Sequence, residues 1–299
     1  MMPQSLEQQA AELGPAPEDA RDPDPFFLEL QNLRASLGLN WTLDSRILKM
    51  INAALGGDPG KALPYIYSVD GFWVEQIFAL ARNTAFRKWR EESGSKFLVV
   101  RNHETVTESS SFLSGVCYAL SHEQDRGVRS IAFYCGQHLH IAGNKDLYQV
   151  LMLDLTLQLL EAFGQELLGQ CGVNLASLRG QLHEKDGGLI RDVFRKALKC
   201  IRHGALSVFI DGIYHYQAKH YSSYGEYRDE EVRDAMRLLS ELVQEANATE
   251  RGVQLKVLVT NPTQKQQESW GIEAATITRK LREGNAVQGT SVYYCWSED

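Results

Sequence analysis

Between Ser95 and Ser114 the chain reads SKFLVVRNHETVTESSSFLS: an apolar segment, a polar stretch rich in hydroxyls and acids, then the start of an apolar helix. A strand, a loop and a helix in that order frame a phosphate-binding loop, in which glycines let backbone N–H groups close around phosphate oxygens and a lysine neutralises them. With Phe97–Val100 as the strand, the spacing G-x-x-x-x-G-K-[ST] falls on Asn102, Thr107, Glu108 and Ser109, with Ser110 as a second hydroxyl. The frame is kept and the charge is reversed, because Glu108 stands in the lysine slot. Two unit charges about 4 Å apart interact by about 4 kcal/mol at an effective dielectric of about 20, so the reversal turns an attraction of that order into a repulsion.

Two further strand ends carry polar groups. Leu206–Gly212, LSVFIDG, has the form of a Walker B strand, whose terminal acid, here Asp211, holds Mg²⁺ through its water shell. Asp-Gly after a buried strand is also common turn chemistry. Where a hydrolase carries further acids to activate water, this chain has Ile213, Tyr214 and His215, of which only His215 is a candidate base. Leu255–Pro262, LKVLVTNP, ends in Thr260 and Asn261. A polar side chain there senses a terminal phosphate if its strand lies between the phosphate loop and the Asp211 strand; Pro262 equally suits an ordinary strand end.

Other candidates are weaker. The stretch YHYQAKHYSSYGEY places Tyr214, Tyr216, Tyr221, Tyr224 and Tyr227 after the Asp211 strand, and tyrosine supplies contact area with a polar tip, as a partner surface requires. A solvated insertion is the competing reading. Cys135, His138 and His140 offer soft ligands without a nearby fourth. His103, Glu104, Glu108 and His215 are the groups an enzyme with a new substrate in the same cleft would draw on. The glycines of Gly56-Gly57-Asp58-Pro59-Gly60-Lys61 imitate a phosphate loop, but the spacing is one residue short and a helix precedes it. No G-x-S-x-G, H-E-x-x-H or G-x-G-x-x-G occurs.

The elements that must position these residues follow from periodicity. Met1–Pro25 holds five of the eight prolines, six acids and one arginine, and reads as a disordered acidic lead. Phe26–Gly94 reads as helical: Phe26–Leu37 and Asp44–Leu55 as a hairpin, then one or two helices over Gly71–Trp89 anchored by Trp73, Ile77, Phe78, Phe86 and Trp89. From Ser95 to Asp299 apolar strands alternate with helices. The expected strands are Phe97–Val100, Ser130–Cys135, Leu206–Ile210, Leu255–Val259 and Thr290–Cys295. The expected helices are Ser109–His122, Lys145–Phe163, Leu189–His203, Asp229–Ala246 and Gln264–Arg282. Continuous apolar strands joined by helices imply an α/β three-layer sandwich with a mainly parallel, five-stranded sheet.

With a net charge of -7 and a pI near 5.7, a dedicated nucleic-acid surface is not expected. No basic and apolar leader opens the chain, and Asp154 and Gln158 interrupt its longest apolar run, so neither secretion nor membrane insertion is expected. Five scattered cysteines fit reduced thiols in a cytoplasmic protein.

From Gly71 to Pro262 the chain resembles the NACHT-type STAND ATPases abundant in filamentous fungi. The resemblance rests on the order and spacing of Thr84–Trp89 (TAFRKW), Phe97–Val100 (FLVV), Ile131–Cys135 (IAFYC), the helix Leu147–Leu160, Phe209–Gly212 (FIDG) and Leu258–Pro262 (LVTNP). It implies a P-loop NTPase-like fold with Asn102, Thr107, Glu108, Ser109 and Ser110 at the vestigial nucleotide loop, Asp211 as the Walker B acid and Thr260 and Asn261 as sensors. The family's phosphate-loop glycines and lysine are absent, and Tyr214 and His215 replace its acidic pair. Its members usually continue into winged-helix and repeat regions, whereas this chain ends at Asp299. The expectation is therefore a standalone, degenerate domain that binds a protein partner or regulates, without a cofactor. The alternatives are an ATP and Mg²⁺ switch with weak or no hydrolysis, and an enzyme of new chemistry in the former cleft.

Overall fold

The computed structural model describes residues 28, 44–56, 71–101, 112–123, 127–138, 147–164, 167, 170, 187–201, 204–216, 225–249, 253–270, 279–280 and 293–294. Among them, eight helices surround a parallel sheet of four strands: β1 (Lys96–Val100), β2 (Val128–Tyr134), β3 (Ala205–Asp211) and β4 (Gln254–Thr260), in the spatial order β1-β4-β3-β2. The fold is α/β, as the alternation of apolar strands and helices requires.

The sheet separates two cores. Side chains alternate across a strand, so Leu206, Val208 and Ile210 face one way and Ser207 and Phe209 the other. The first face packs Ile131, Phe133, Val257 and Val259 under α5 (Leu147–Phe163), α6 (Gly187–Cys200) and α7 (Gly225–Ala248). The second packs Val100, Phe209 and Leu258 under α1 (Ser45–Leu55), α2 (Gly71–Arg82), α3 (Thr84–Glu91) and α4 (Phe112–Ser121).

Local signals set the helix boundaries. Asp44 caps α1 by accepting the Arg46 N–H at 2.7 Å. Asn83 ends α2 and caps α3 by accepting the Ala85 N–H at 2.8 Å, which divides the Gly71–Trp89 stretch in two. Phe86 and Trp89 then face the core, and the Trp89 indole donates to the Val257 carbonyl at 3.1 Å. At the free edge of β2 the Gln158 side chain accepts from Ala132 N–H at 2.9 Å and donates to Ala132 O at 2.7 Å. It thereby occupies backbone groups that an edge would otherwise expose.

The C-terminal expectation is corrected. Helix α8 spans only Gln264–Ser269, with Trp270 as its C-cap and buried at 1% exposure, rather than Gln264–Arg282. β5 (Arg279–Lys280) pairs antiparallel with β6 (Tyr293–Tyr294), so Thr290–Cys295 does not supply a fifth strand to the parallel sheet. An antiparallel partner needs only a connecting loop, whereas a parallel one needs a crossover, usually a helix. The lead Met1–Pro25 and the helix Phe26–Leu37 lie, apart from Leu28, outside the described residues, as does the segment 57–70.

Candidate functional site

In a parallel sheet all strands end on one edge, and ligands of open α/β folds gather there. The register aligns Tyr134 with Asp211 and Val100 with Thr260, so these strand ends share that edge. β4 lies between β1 and β3, the position in which a polar residue at its end can reach both neighbours.

Asp211 is buried at 4% exposure, and both its carboxylate oxygens accept hydrogen bonds from hydroxyls. Ser114, in the first turn of α4, donates to Oδ2 at 2.5 Å. Thr260 donates to Oδ1 at 2.5 Å and at the same time accepts the Gly212 N–H at 2.9 Å. Burial raises the Asp211 pKa; the two hydroxyls pull it back and do not fully offset the burial. No lysine or arginine among the described residues acts on this carboxylate.

The backbone around the clasp is tied to it. Gly212 adopts φ +68°, and a Cβ placed there would lie 3.1 Å from His215 Cδ2. Asn261 is left-handed at φ +52°, a conformation asparagine tolerates better than most residues. Its N–H donates to Val100 O at 2.7 Å and its carbonyl accepts Tyr214 N–H at 3.1 Å, so the ends of β1 and β4 and the turn after β3 form one unit.

The surrounding titratable groups are held protonated. Burial first, and the Asp211 charge second, raise the pKa of Cys117 and Cys135 well above the usual thiol value. Burial is also the leading cause of the upward shifts at Tyr134 and Tyr214. A thiol so shifted does not supply the thiolate that nucleophilic catalysis needs.

The structure thus brings together three of the expected site residues, Asp211, Thr260 and Asn261, and adds Ser114, which the sequence reading missed. Asn102, His103, Glu104, Thr107, Glu108, Ser109, Ser110, Tyr221 and Tyr224 lie outside the described residues. Ser114 stands two residues after Phe112 in α4, and no spacing rule in the sequence singled it out. The expected tyrosine surface also needs correction at one position. Tyr216 is fully buried and packs edge-on against Phe133 with ring centroids 6.1 Å apart, so its side chain serves the core. Tyr214 is half-buried and lies against His215 at 4.0 Å, and Tyr227 falls in the first turn of α7.

No known protein family, curated protein or solved structure matches this chain. Function therefore has to be argued from the geometry. Among the described residues no group of three histidine, cysteine, aspartate or glutamate side chains is placed to hold a metal ion, and no helix is long and apolar enough to cross a membrane.

The oxygen donors of Ser114 and Asp211 suit a hard cation such as Mg²⁺. Arg101 directly follows β1 at this edge, and the expected phosphate loop, 102–111, lies outside the described residues.

Proposed function

We propose that this chain is a P-loop-like module of the degenerate NACHT or STAND kind, acting by binding or regulation and not by nucleotide hydrolysis. The observation that carries the reading is the Ser114–Asp211–Thr260 clasp: a buried acid at the end of β3, satisfied by hydroxyls from α4 and β4 without a cation. The order β1-β4-β3 supports it, since it puts Thr260 between the strand of the expected phosphate loop and the Asp211 strand. The Glu108 charge in the expected lysine slot opposes phosphate binding. Partner recognition is assigned to the loops at the C-terminal edge of the sheet, with a protein as the partner and Tyr214, Tyr221, Tyr224 and Tyr227 as the contact residues.

The test is a titration of the full chain with ATP, ADP and GTP in the presence of Mg²⁺, followed by calorimetry and by thermal unfolding. A ligand that binds only the folded form at about 100 times its Kd adds about 2.7 kcal/mol of stability, so binding would be plain. The proposal expects no heat and no shift. Micromolar binding that disappears in Asp211→Ala refutes it and establishes the second reading, an ATP and Mg²⁺ switch, which the proximity of the Ser114 and Asp211 oxygens favours.

A further inference from the structure

Between α6 and α7 lies a groove of about 330 Å³, lined by Arg191 and Arg195 of α6 and by Asp234, Arg237, Leu238 and Glu241 of α7. Residues three and four apart share a helix face, so the two α6 arginines stand one turn apart and the α7 residues form a stripe facing them. The inner faces of the same helices, with Val193 and Phe194 of α6 and Met236 and Leu239 of α7, belong to the core. Arg191 and Arg237 are exposed, so an incoming group reaches them without disturbing that core.

Charge in the groove is not matched one to one. Glu241 is taken by Arg195 at 2.5 Å, and Glu245 lies 3.8 Å from the same guanidinium. Asp234 stands 3.8 Å from Arg233. Both carboxylates of the lining therefore have a cation of their own. Two of the three lining arginines have no carboxylate. Arg237 donates to the carbonyls of Trp270 at 3.2 Å and Ser269 at 3.4 Å, at the end of α8, which positions its guanidinium without neutralising it. Arg191 makes no hydrogen bond or ion pair among the described residues. The lining is net positive, and the excess resides on Arg191 and Arg237, one from each helix.

We propose that this groove binds a phosphomonoester dianion between Arg191 and Arg237. A guanidinium presents a planar fork of N–H donors that matches phosphate oxygens, and two unmatched positive charges balance the charge of about −1.5 to −2 that a phosphomonoester carries near neutral pH. The groove lies on the face of the sheet covered by α6 and α7, whereas Ser114 meets Asp211 from the α4 side, so this site is separate from the clasp. The phosphoryl group comes from a small phosphorylated molecule or from a phosphorylated side chain of a protein, and one experiment separates these sources.

The full chain is titrated calorimetrically, in low-salt buffer at about pH 8, with glycerol 3-phosphate, with a short phosphoserine peptide and with malonate. The phosphorylated probes are expected to bind saturably, one to one, with Kd values of the order of 1 mM. Tighter binding of the peptide assigns the site to a protein source, and glycerol 3-phosphate binding as tightly or more so assigns it to a small molecule. Arg191→Gln, which breaks no contact among the described residues, weakens binding about threefold to tenfold, as does Arg237→Gln. Lys196→Gln removes the same charge from α6 outside the groove, and Asp211→Ala alters the clasp; both leave the affinity unchanged. At about pH 5 the monoanion predominates and binding weakens. No saturation up to about 50 mM, malonate binding as tight as that of the phosphorylated probes, or a loss in Lys196→Gln equal to that in Arg191→Gln would overturn the proposal.

Discussion

Thr260→Val is the sharpest probe of the clasp, because it removes one hydroxyl while leaving the shape of the side chain almost unchanged. Two interactions disappear: the hydrogen bond to Asp211 Oδ1 at 2.5 Å and the acceptor for Gly212 N–H at 2.9 Å. A hydrogen bond to a charged group is worth about 1.5–3 kcal/mol, and a buried donor left unsatisfied costs about 1–3 kcal/mol. The expected destabilisation where Asp211 is ionised is therefore about 3–5 kcal/mol. The loss should depend on pH, with a sign set by Asp211. Its folded pKa is raised by burial, so the folded state binds the proton more tightly than the unfolded state. Stability is then greatest below the unfolded value and falls as pH rises through the folded value. The Thr260 hydroxyl opposes that shift by favouring the ionised form. Its removal is felt most where Asp211 is ionised and least where it is protonated, where the lost bond is of the neutral kind, about 1 kcal/mol. Urea unfolding followed by far-UV circular dichroism, repeated over a series of pH values from the ordinary carboxylate range to above neutral, gives both limits. A loss that stays below about 1 kcal/mol, or that is identical across the series, would refute the reasoning.

Two further substitutions examine the same region. Asp211→Asn should abolish the part of the stability decline that lies between the ordinary carboxylate range and the raised Asp211 pKa, as measured by unfolding across that window; an unchanged decline would assign it to another group. Gly212→Ala should cost about 1–2 kcal/mol in the same assay, because it places a Cβ at φ +68° and 3.1 Å from the His215 ring, and a neutral outcome would mean that the turn relaxes freely.

The clasp also bears on what the fold can do with its open edge. Ser114, Asp211 and Thr260 come from a helix and two strands, and Asn261 links β1 to the turn after β3. A ligand that draws Ser114 away from Asp211 would expose a buried carboxylate on one side, at a cost of the order of a charged hydrogen bond, about 1.5–3 kcal/mol.

Periodicity and local chemistry determined much of the architecture before any tertiary contact was known. The four strands of the parallel sheet were legible because they are continuous apolar runs, and helices α5, α6 and α7 because their apolar patterns are long. Asp211 and Thr260 could be singled out because a polar residue ending an apolar strand is conspicuous in one dimension. The missing fifth parallel strand was not legible: Thr290–Cys295 has the composition of a strand, but which partner it takes depends on the chain elsewhere, here Arg279–Lys280. Ser114 was hidden among neighbouring serines, since only the packing of α4 against β3 brings its hydroxyl to Asp211. Tyr216 looked like a surface residue because its loop is polar, and only packing against Phe133 assigns it to the core. The groove shared by Arg191 and Arg237 exists only because α6 lies beside α7, a relation between helices far apart in sequence. Residue type and spacing act over a few positions and so specify elements; a site made from several elements is specified by the contacts that close the sheet and its helical layers.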